Sequence, residues 1–278
     1  MQESGEIMSE QKKRPAVGLA LGGGSARGFA HIGVIRALQE SRIPIDVVSG
    51  CSIGAIIGSI FCVGGDLELL LKICMQMKAR EMMDLVVPRK GMVRGAKFEN
   101  LIQLFTKNRD FEEMDVPFAC SACDLWEGKT KIFTTGKVYP AVRASMSIPG
   151  VFEPKLIDGV MYVDGGVLDN VPVDAAKRLG ADVVIGSDVC IHKAEPAQPS
   201  ERLIDILYRA TDLLEYQANK HQLTEADVLI SPPVGYINQF EVEKSKECAQ
   251  IGYETTMAKM DEIKQLIYGE TEVQTGTV

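Results

Sequence analysis

Three short segments of this chain carry residue types that could act on an acyl group. Gly50-Cys51-Ser52-Ile53-Gly54 has the spacing G-x-S-x-G, behind an apolar run that reads as a strand and at the opening of an apolar helix. A sharp strand-to-helix turn there pushes a serine hydroxyl out, and glycines flank it because side chains would collide across the turn. Gly22-Gly23-Gly24-Ser25-Ala26-Arg27-Gly28 lies between the first predicted strand and the first predicted helix. Backbone N–H groups and the positive helix end would cradle an anion at that point. A P-loop is excluded, since Phe29 rather than Lys follows Gly28. A dinucleotide fingerprint needs an acid at the carboxyl end of the next strand, whereas Asp46 stands before Val47. An oxyanion hole remains, and a nucleophile at Ser52 requires one. Asp164-Gly165-Gly166, after Met161-Tyr162-Val163, puts a carboxylate at the carboxyl end of a strand, the edge where ligand sites of open α/β sheets form. The same residues also suit an ordinary Asp-Gly turn.

A serine nucleophile needs a proton acceptor, and the chain has three histidines. His31, in the first helix, precedes Ser52, against the Ser-acid-His order of α/β-hydrolases. His221 continues the stripe of its helix and reads as a packed or surface residue. His192 has the right order, so Ser52 with His192 and either Asp164 or Asp188 is one arrangement, although Ile191, Lys193, Ala194 and Glu195 do not resemble a fixed catalytic loop. On the residues alone the identity of the base stays open.

The elements that must position these groups alternate between short β-type runs and helical periods, the pattern of parallel strands joined by crossover helices. Strands are predicted near Ala16–Leu21, Val47–Gly50, Phe118–Asp124, Lys131–Thr135, Met161–Asp164, Val183–Asp188 and Val228–Ser231. Helices are predicted at Gly28–Ser41, Ile53–Val63, Leu67–Met77, Phe98–Phe105, Val173–Leu179 and Leu203–Gln222, with one more in Glu243 to Ile267. The Leu203–Gln222 segment lines up Leu203, Ile206, Leu207, Ala210, Leu213 and Leu214 on one stripe. Glu127-Gly128-Lys129 reads as a hairpin turn, so the sheet should be mixed. No repeat or linker composition interrupts the body. The expected organisation is one domain over residues 15–270 between polar tails at 1–14 and 271–278.

Thirty Lys and Arg against 38 Asp and Glu leave a net charge of −8, which works against a nucleic-acid footprint and against purely electrostatic attachment to anionic lipid. Any lipid contact has to be apolar. The longest apolar stretch, Ile53 to Gly65, falls short of the about 18 to 20 residues that span a bilayer. Lys12, Lys13 and Arg14 precede an apolar run, but no signal-peptide cleavage pattern follows it, and seven irregularly spaced cysteines suit a reducing compartment. A cytoplasmic location follows as an expectation, with peripheral contact at a membrane surface left open. Cys120-Ser-Ala-Cys123 lies within a strand and reads as structural thiols. Cys51 could block the site when modified without being catalytic. Met75, Met77, Met82, Met83 and Met92, followed by Arg89, Lys90 and Arg94, suit either core filling or an adaptable groove for acyl chains.

Taken together, Leu21-Gly-Gly-Gly-Ser-Ala-Arg-Gly-Phe-Ala-His-Ile-Gly-Val34, Gly50-Cys-Ser-Ile-Gly54, Ala144-Ser-Met-Ser-Ile-Pro-Gly-Val-Phe-Glu-Pro154 and Val163-Asp-Gly-Gly-Val-Leu-Asp-Asn-Val-Pro172 resemble the patatin-like phospholipase family in its small bacterial single-domain form. The likeness covers about residues 15 to 190 well and the rest loosely. It implies a three-layer α/β/α fold with a mostly parallel, mixed central sheet and a nucleophile elbow. It also implies a Ser-Asp dyad in place of a triad. Carried over by position, Ser52 is the nucleophile and Asp164 the general base. The amides of Gly23, Gly24 and Ser25 form the oxyanion hole, and Arg27 braces that loop. Gly22, Gly28, Gly50, Gly54, Gly165 and Gly166 support these motifs, Ile148-Pro149 shapes the wall below the site, and Asp169-Asn170 forms the turn after Asp164. Ser25 stands where the family often has glycine. The implied activity is a carboxylic ester hydrolase acting on acyl esters of phospholipids, lysophospholipids or simpler lipids, with no cofactor and no metal. The same acyl-enzyme would serve a thioesterase or acyltransferase, and a regulatory or adaptor protein could keep the fold.

Overall fold

The protein's structure is a computed structural model that describes residues 14–76, 84, 91–190, 201, 203–238 and 240–269. His192, Met77, Met82, Met83, Arg89, Lys90 and nearly all of both tails lie outside these residues. Arg14, the last residue of the expected N-terminal tail, is tied down by Asp46, whose carboxylate accepts at 2.6 and 2.8 Å.

Eight strands form one sheet among the described residues: β1 (Val17–Leu21), β2 (Val47–Cys51), β3 (Phe118–Asp124), β4 (Lys129–Phe133), β5 (Lys155–Ile157), β6 (Val160–Asp164), β7 (Val183–Ser187) and β8 (Val228–Ile230). The order is β5-β6-β3-β2-β1-β7-β8, with β4 paired to the other edge of β3. The run from β3 to β8 is parallel, while β4, β5 and β6 pair antiparallel. The helices are α1 (Ala30–Glu40), α2 (Ile53–Cys62), α3 (Leu67–Gln76), α4 (Ala96–Phe105), α5 (Val138–Ser145), α6 (Val173–Arg178), α7 (Leu203–Asn219), α8 (Ser245–Ala258) and α9 (Met260–Tyr268).

The central strands are buried throughout, as parallel strands covered on both faces must be. Their side chains still alternate between two cores. Val17, Leu19, Leu21, Val48 and Ile185 join the large core under α1 and α2. Ala20, Val47 and Val184 join a smaller one with Val173 and Ala176 of α6. Small residues on the second face let the short helix lie close, which makes the three-layer α/β/α arrangement. On the first face α1 and α8 touch backbone to backbone: a β-carbon on Gly252 would stand 2.0 Å from the Ala30 carbonyl oxygen.

The predicted strands all form, and the turn at Gly128 (φ 62°) joins β3 to β4 as an antiparallel hairpin. Two elements were not expected. Helix α5 carries Pro140 in its first turn, where the missing N–H costs nothing, and β5 is a three-residue edge strand too short to show a period. The expected Glu243–Ile267 helix breaks at Lys259 into α8 and α9. Most of the stripe on α7 faces outward rather than into the core: Ile206 is 51% and Leu214 72% exposed. Met92 packs against the large core, and Val93 is buried in an isolated bridge to Phe152, so this end of the methionine-rich segment is core filling.

Candidate active site

Ser52 follows β2 at φ 53° and ψ −122°, a conformation that costs a residue with a β-carbon about 1–3 kcal/mol and persists only when its surroundings hold it. Here they do. A β-carbon on Gly54 would meet the Leu21 carbonyl oxygen at 2.2 Å, so α2 can pack beside the end of β1 only with glycine at that position. The Ser52 amide donates to Ser145 Oγ at 2.8 Å, and its own Oγ donates to Asp164 Oδ2 at 2.6 Å.

The two residues meet because of β3. Its one edge pairs with β4, and its other edge is shared by β2, through Phe118–Ser121, and β6, through Ala122–Asp124. β2 runs parallel to β3 and β6 antiparallel, so their carboxyl ends arrive head-on: Cys51 lies opposite Ser121 and Asp164 opposite Ala122. The backbone amide of Asp164 donates to the Ser147 carbonyl at 2.9 Å. Its Oδ1 accepts from Gly166 N–H at 2.9 Å and from the Cys51 thiol at 3.6 Å. Burial raises the Asp164 pKa to about 6, against the pull of the bonds from Ser52, Gly166 and Cys51. A carboxylate so placed is a stronger base than one in water and is still ionised near neutrality.

The glycine-rich loop lies against the serine, and a β-carbon on Gly23 would stand 3.2 Å from Ser52 Cβ. The Gly23 amide is already used, donating to the Asn170 carbonyl at 3.3 Å and to its Oδ1 at 3.2 Å. The amides of Gly24 and Ser25 make no hydrogen bond among the described residues. Ser25 Oγ meets the Tyr208 hydroxyl of α7 at 2.7 Å. Arg27 is completely buried, with Nη2 3.4 Å from Asp212 Oδ2 and with Nε and Nη1 lacking hydrogen-bond partners among the described residues. It ties the loop to α7.

No histidine among the described residues joins Ser52 and Asp164. His31 is buried between the Gly22 carbonyl (2.8 Å from Nε2) and Ser187 Oγ (2.9 Å from Nδ1), and burial lowers its pKa to about 4. The carbonyl can only accept, so the neutral ring carries its proton on Nε2. His221 is exposed beyond the end of α7. Asp188 is buried after β7 and accepts from the Cys190 amide. Cys120 and Cys123 are buried free thiols in β3.

Several supporting residues carry no motif. Arg143 of α5 is buried and donates to Ser147 Oγ and to the carbonyls of Arg94, Gly95 and Glu153, which fastens the backbone next to Asp164. Ser145 and Asn170 lie within the resembling segments, but their contacts with the Ser52 and Gly23 amides arise only in the fold. Tyr208, Asp212 and Glu215 come from α7, far along the chain.

Two cavities open at Ser52. One, of about 220 Å³, is walled by Ile56, Ile60, Phe98, Phe105, Met146 and Phe152 among others. The other, of about 20 Å³, is bordered by Asp164, Asn170, Cys190, Tyr208, Asp212 and Glu215. No helix among the described residues is long and apolar enough to cross a membrane, and they contain no cluster of metal-ligating side chains.

Comparison with known proteins fits this architecture. Lysophospholipase NTE1 of Pyricularia oryzae is 30% identical over 268 residues, covering 86% of this chain and 18% of its own length. Lysophospholipase nte1 of Aspergillus fumigatus is 38% identical over 180 residues, covering 63% of this chain and 12% of its own. The chain thus spans less than a fifth of these relatives. VipD from Legionella pneumophila shares the fold, with a TM-score of 0.62 at 15% identity, over 90% of this chain and 67% of its own. Residues 19–177, more than half of the chain and including every motif described above, match the patatin-like phospholipase family, and to that family the protein belongs.

Proposed function

We propose that the protein is a serine acyl hydrolase that cleaves acyl esters of lysophospholipids, phospholipids or related lipids with a Ser52–Asp164 dyad. The observation that carries this is the 2.6 Å hydrogen bond from Ser52 Oγ to Asp164 Oδ2, at the junction of an apolar and a polar cavity. The acyl chain lies in the apolar chamber and the leaving alcohol on the polar side. Ser52 Oγ attacks the ester carbonyl as Asp164 takes its proton, and that proton then goes to the departing alkoxide. Water cleaves the acyl-enzyme by the same steps, with Asp164 again as base. The amides of Gly24 and Ser25 receive the developing oxyanion, while Gly23, held by Asn170, and Arg27, held toward Asp212, keep the loop in place.

Residues 15–270 act as one catalytic domain, meeting lipid by transient contact at a membrane surface. The family membership and the lysophospholipase relatives support lipid esters as substrates. The test is intact-mass labelling with a fluorophosphonate. Wild type should gain one adduct, Ser52→Ala none, and Asp164→Asn should label at least about 100-fold more slowly. A folded wild type that gains no adduct would sink this function.

A further inference from the structure

The small cavity contains a carboxyl that the acyl-transfer steps do not use. Glu215 of α7 borders it together with Ser52, Asp164 and Asp212. Its Oε2 lies 3.3 Å from the point where a β-carbon on Gly166 would stand, and Asp164 Oδ1 lies 3.2 Å from that same point. Both carboxyls therefore crowd one glycine. The neighbouring cation, Arg27, directs its nearest nitrogen to Asp212. The Glu215 carboxyl makes no hydrogen bond or ion pair among the described residues. Among the described residues, the other titratable groups that face it, the Cys51 and Cys190 thiols and the Tyr208 phenol, are all pushed toward their neutral forms by burial.

Two buried negative charges so close to one glycine repel strongly, and one of the carboxyls takes a proton. Asp164 has Ser52, Gly166 and Cys51 to donate to its ionised form, and Glu215 has no such donors among the described residues. We propose that Glu215 is a positioning residue that works as the neutral acid: protonated, it leaves Asp164 as the single charged carboxyl at Gly166, and ionised, it opposes the oxyanion forming on Ser52. Burial and the charges of Asp164 and Asp212, partly offset by Arg27, bring its pKa to about 8. Activity then has two limits, a rise as Asp164 loses its proton near pH 6 and a fall as Glu215 loses its own near pH 8.

The inference rests on the Ser52–Asp164 dyad. Its test is kcat/KM for a soluble short-chain ester from about pH 5 to pH 10, in wild type, Glu215→Gln and Ser52→Ala. Wild type should lose about tenfold between pH 7 and pH 9, and Glu215→Gln should lose the alkaline fall while keeping the acid limb. An unchanged alkaline fall in Glu215→Gln overturns the proposal. So does a folded Glu215→Gln that is inactive at every pH, because an ionised Glu215 would then be what the reaction needs. The fluorophosphonate labelling rate of wild type needs no variant: if it does not decline through pH 8, the proposal fails. Activity surviving in Ser52→Ala would instead bring down the dyad itself, which separates the two failures.

Discussion

The cavity beside α2 holds about 220 Å³ behind Ile56, Ile60, Phe98 and Phe152, whereas the one beside α7 holds about 20 Å³ among Asp164, Tyr208, Asp212 and Glu215. The first has almost nothing to hydrogen-bond and gains by taking up hydrocarbon in any orientation that fits. The second has charge, fixed donors and little space, so each group in it alters the ionisation of the others. Ser52 is the boundary between a compartment governed by shape and one governed by electrostatics. Substitutions on the two sides should therefore fail in different ways.

The largest effects belong to the boundary and the polar side. Asp164→Asn should lower kcat by about 100-fold to 10,000-fold with little change in KM, read in a steady-state assay on a soluble ester. Equal losses in both constants would mean that Asp164 shapes the site rather than accepting a proton. Next comes the apolar side. Leu101→Trp, which fills part of the chamber, should lower kcat/KM for long-chain esters about tenfold more than for acetyl esters. A loss independent of chain length would remove the chamber from acyl binding. Asn170→Ala removes the side-chain half of the hold on the Gly23 amide, leaving its bond to the backbone carbonyl of residue 170, and should cost up to about tenfold in kcat, without changing chain-length preference, if the loop position is what matters.

The smallest effect is on stability and has the opposite sign to the effect on activity. The Asp164 pKa is raised in the folded state from 3.8 to about 6, so the folded protein binds this proton more tightly than the unfolded chain. The cost is absent below about pH 4, grows between pH 4 and pH 6, and is complete above. Asp164→Asn should accordingly be more stable than wild type at pH 7, on the order of 1 to 3 kcal/mol, with the difference shrinking toward pH 4 in thermal melts. His31 works the other way. Its pKa falls to about 4, so its contribution is complete above about pH 6.5 and lost as the pH drops through 4.

Much of this is written locally in the chain. Gly50, Ser52 and Gly54 announce the elbow because only glycine fits where α2 backbone passes the end of β1. Gly22 to Gly28 announces a strand-to-helix loop, and Asp164 a strand end. Hydrophobic period places the strands that carry them. What the chain does not display is pairing between distant segments. Glu215 and Tyr208 sit on a helix whose apolar stripe reads as core yet faces outward, so the face that meets the site is its polar one. Arg143 and Ser145 lie on α5, a helix masked by Pro140, and their bonds to Gly95 and Ser52 follow from no spacing. The Gly23 amide shows the same limit: its place in the loop is legible, and its engagement by Asn170 is not.

The edge of β3 has a further consequence. Because β2 and β6 divide that edge end to end, the separation of Ser52 from Asp164 is measured out along a single strand, between Ser121 and Ala122. β3 is in effect a ruler for a reaction in which none of its own side chains takes part. One residue inserted between those two positions would leave the glycine-rich loop, the elbow and the Asp164 turn intact in sequence and shift the two reacting groups by a strand step of about 3.3 Å, with the side-chain alternation reversed beyond it. Change in this lineage should accumulate in the loops and in the chamber walls, while the length of β3 stays as it is.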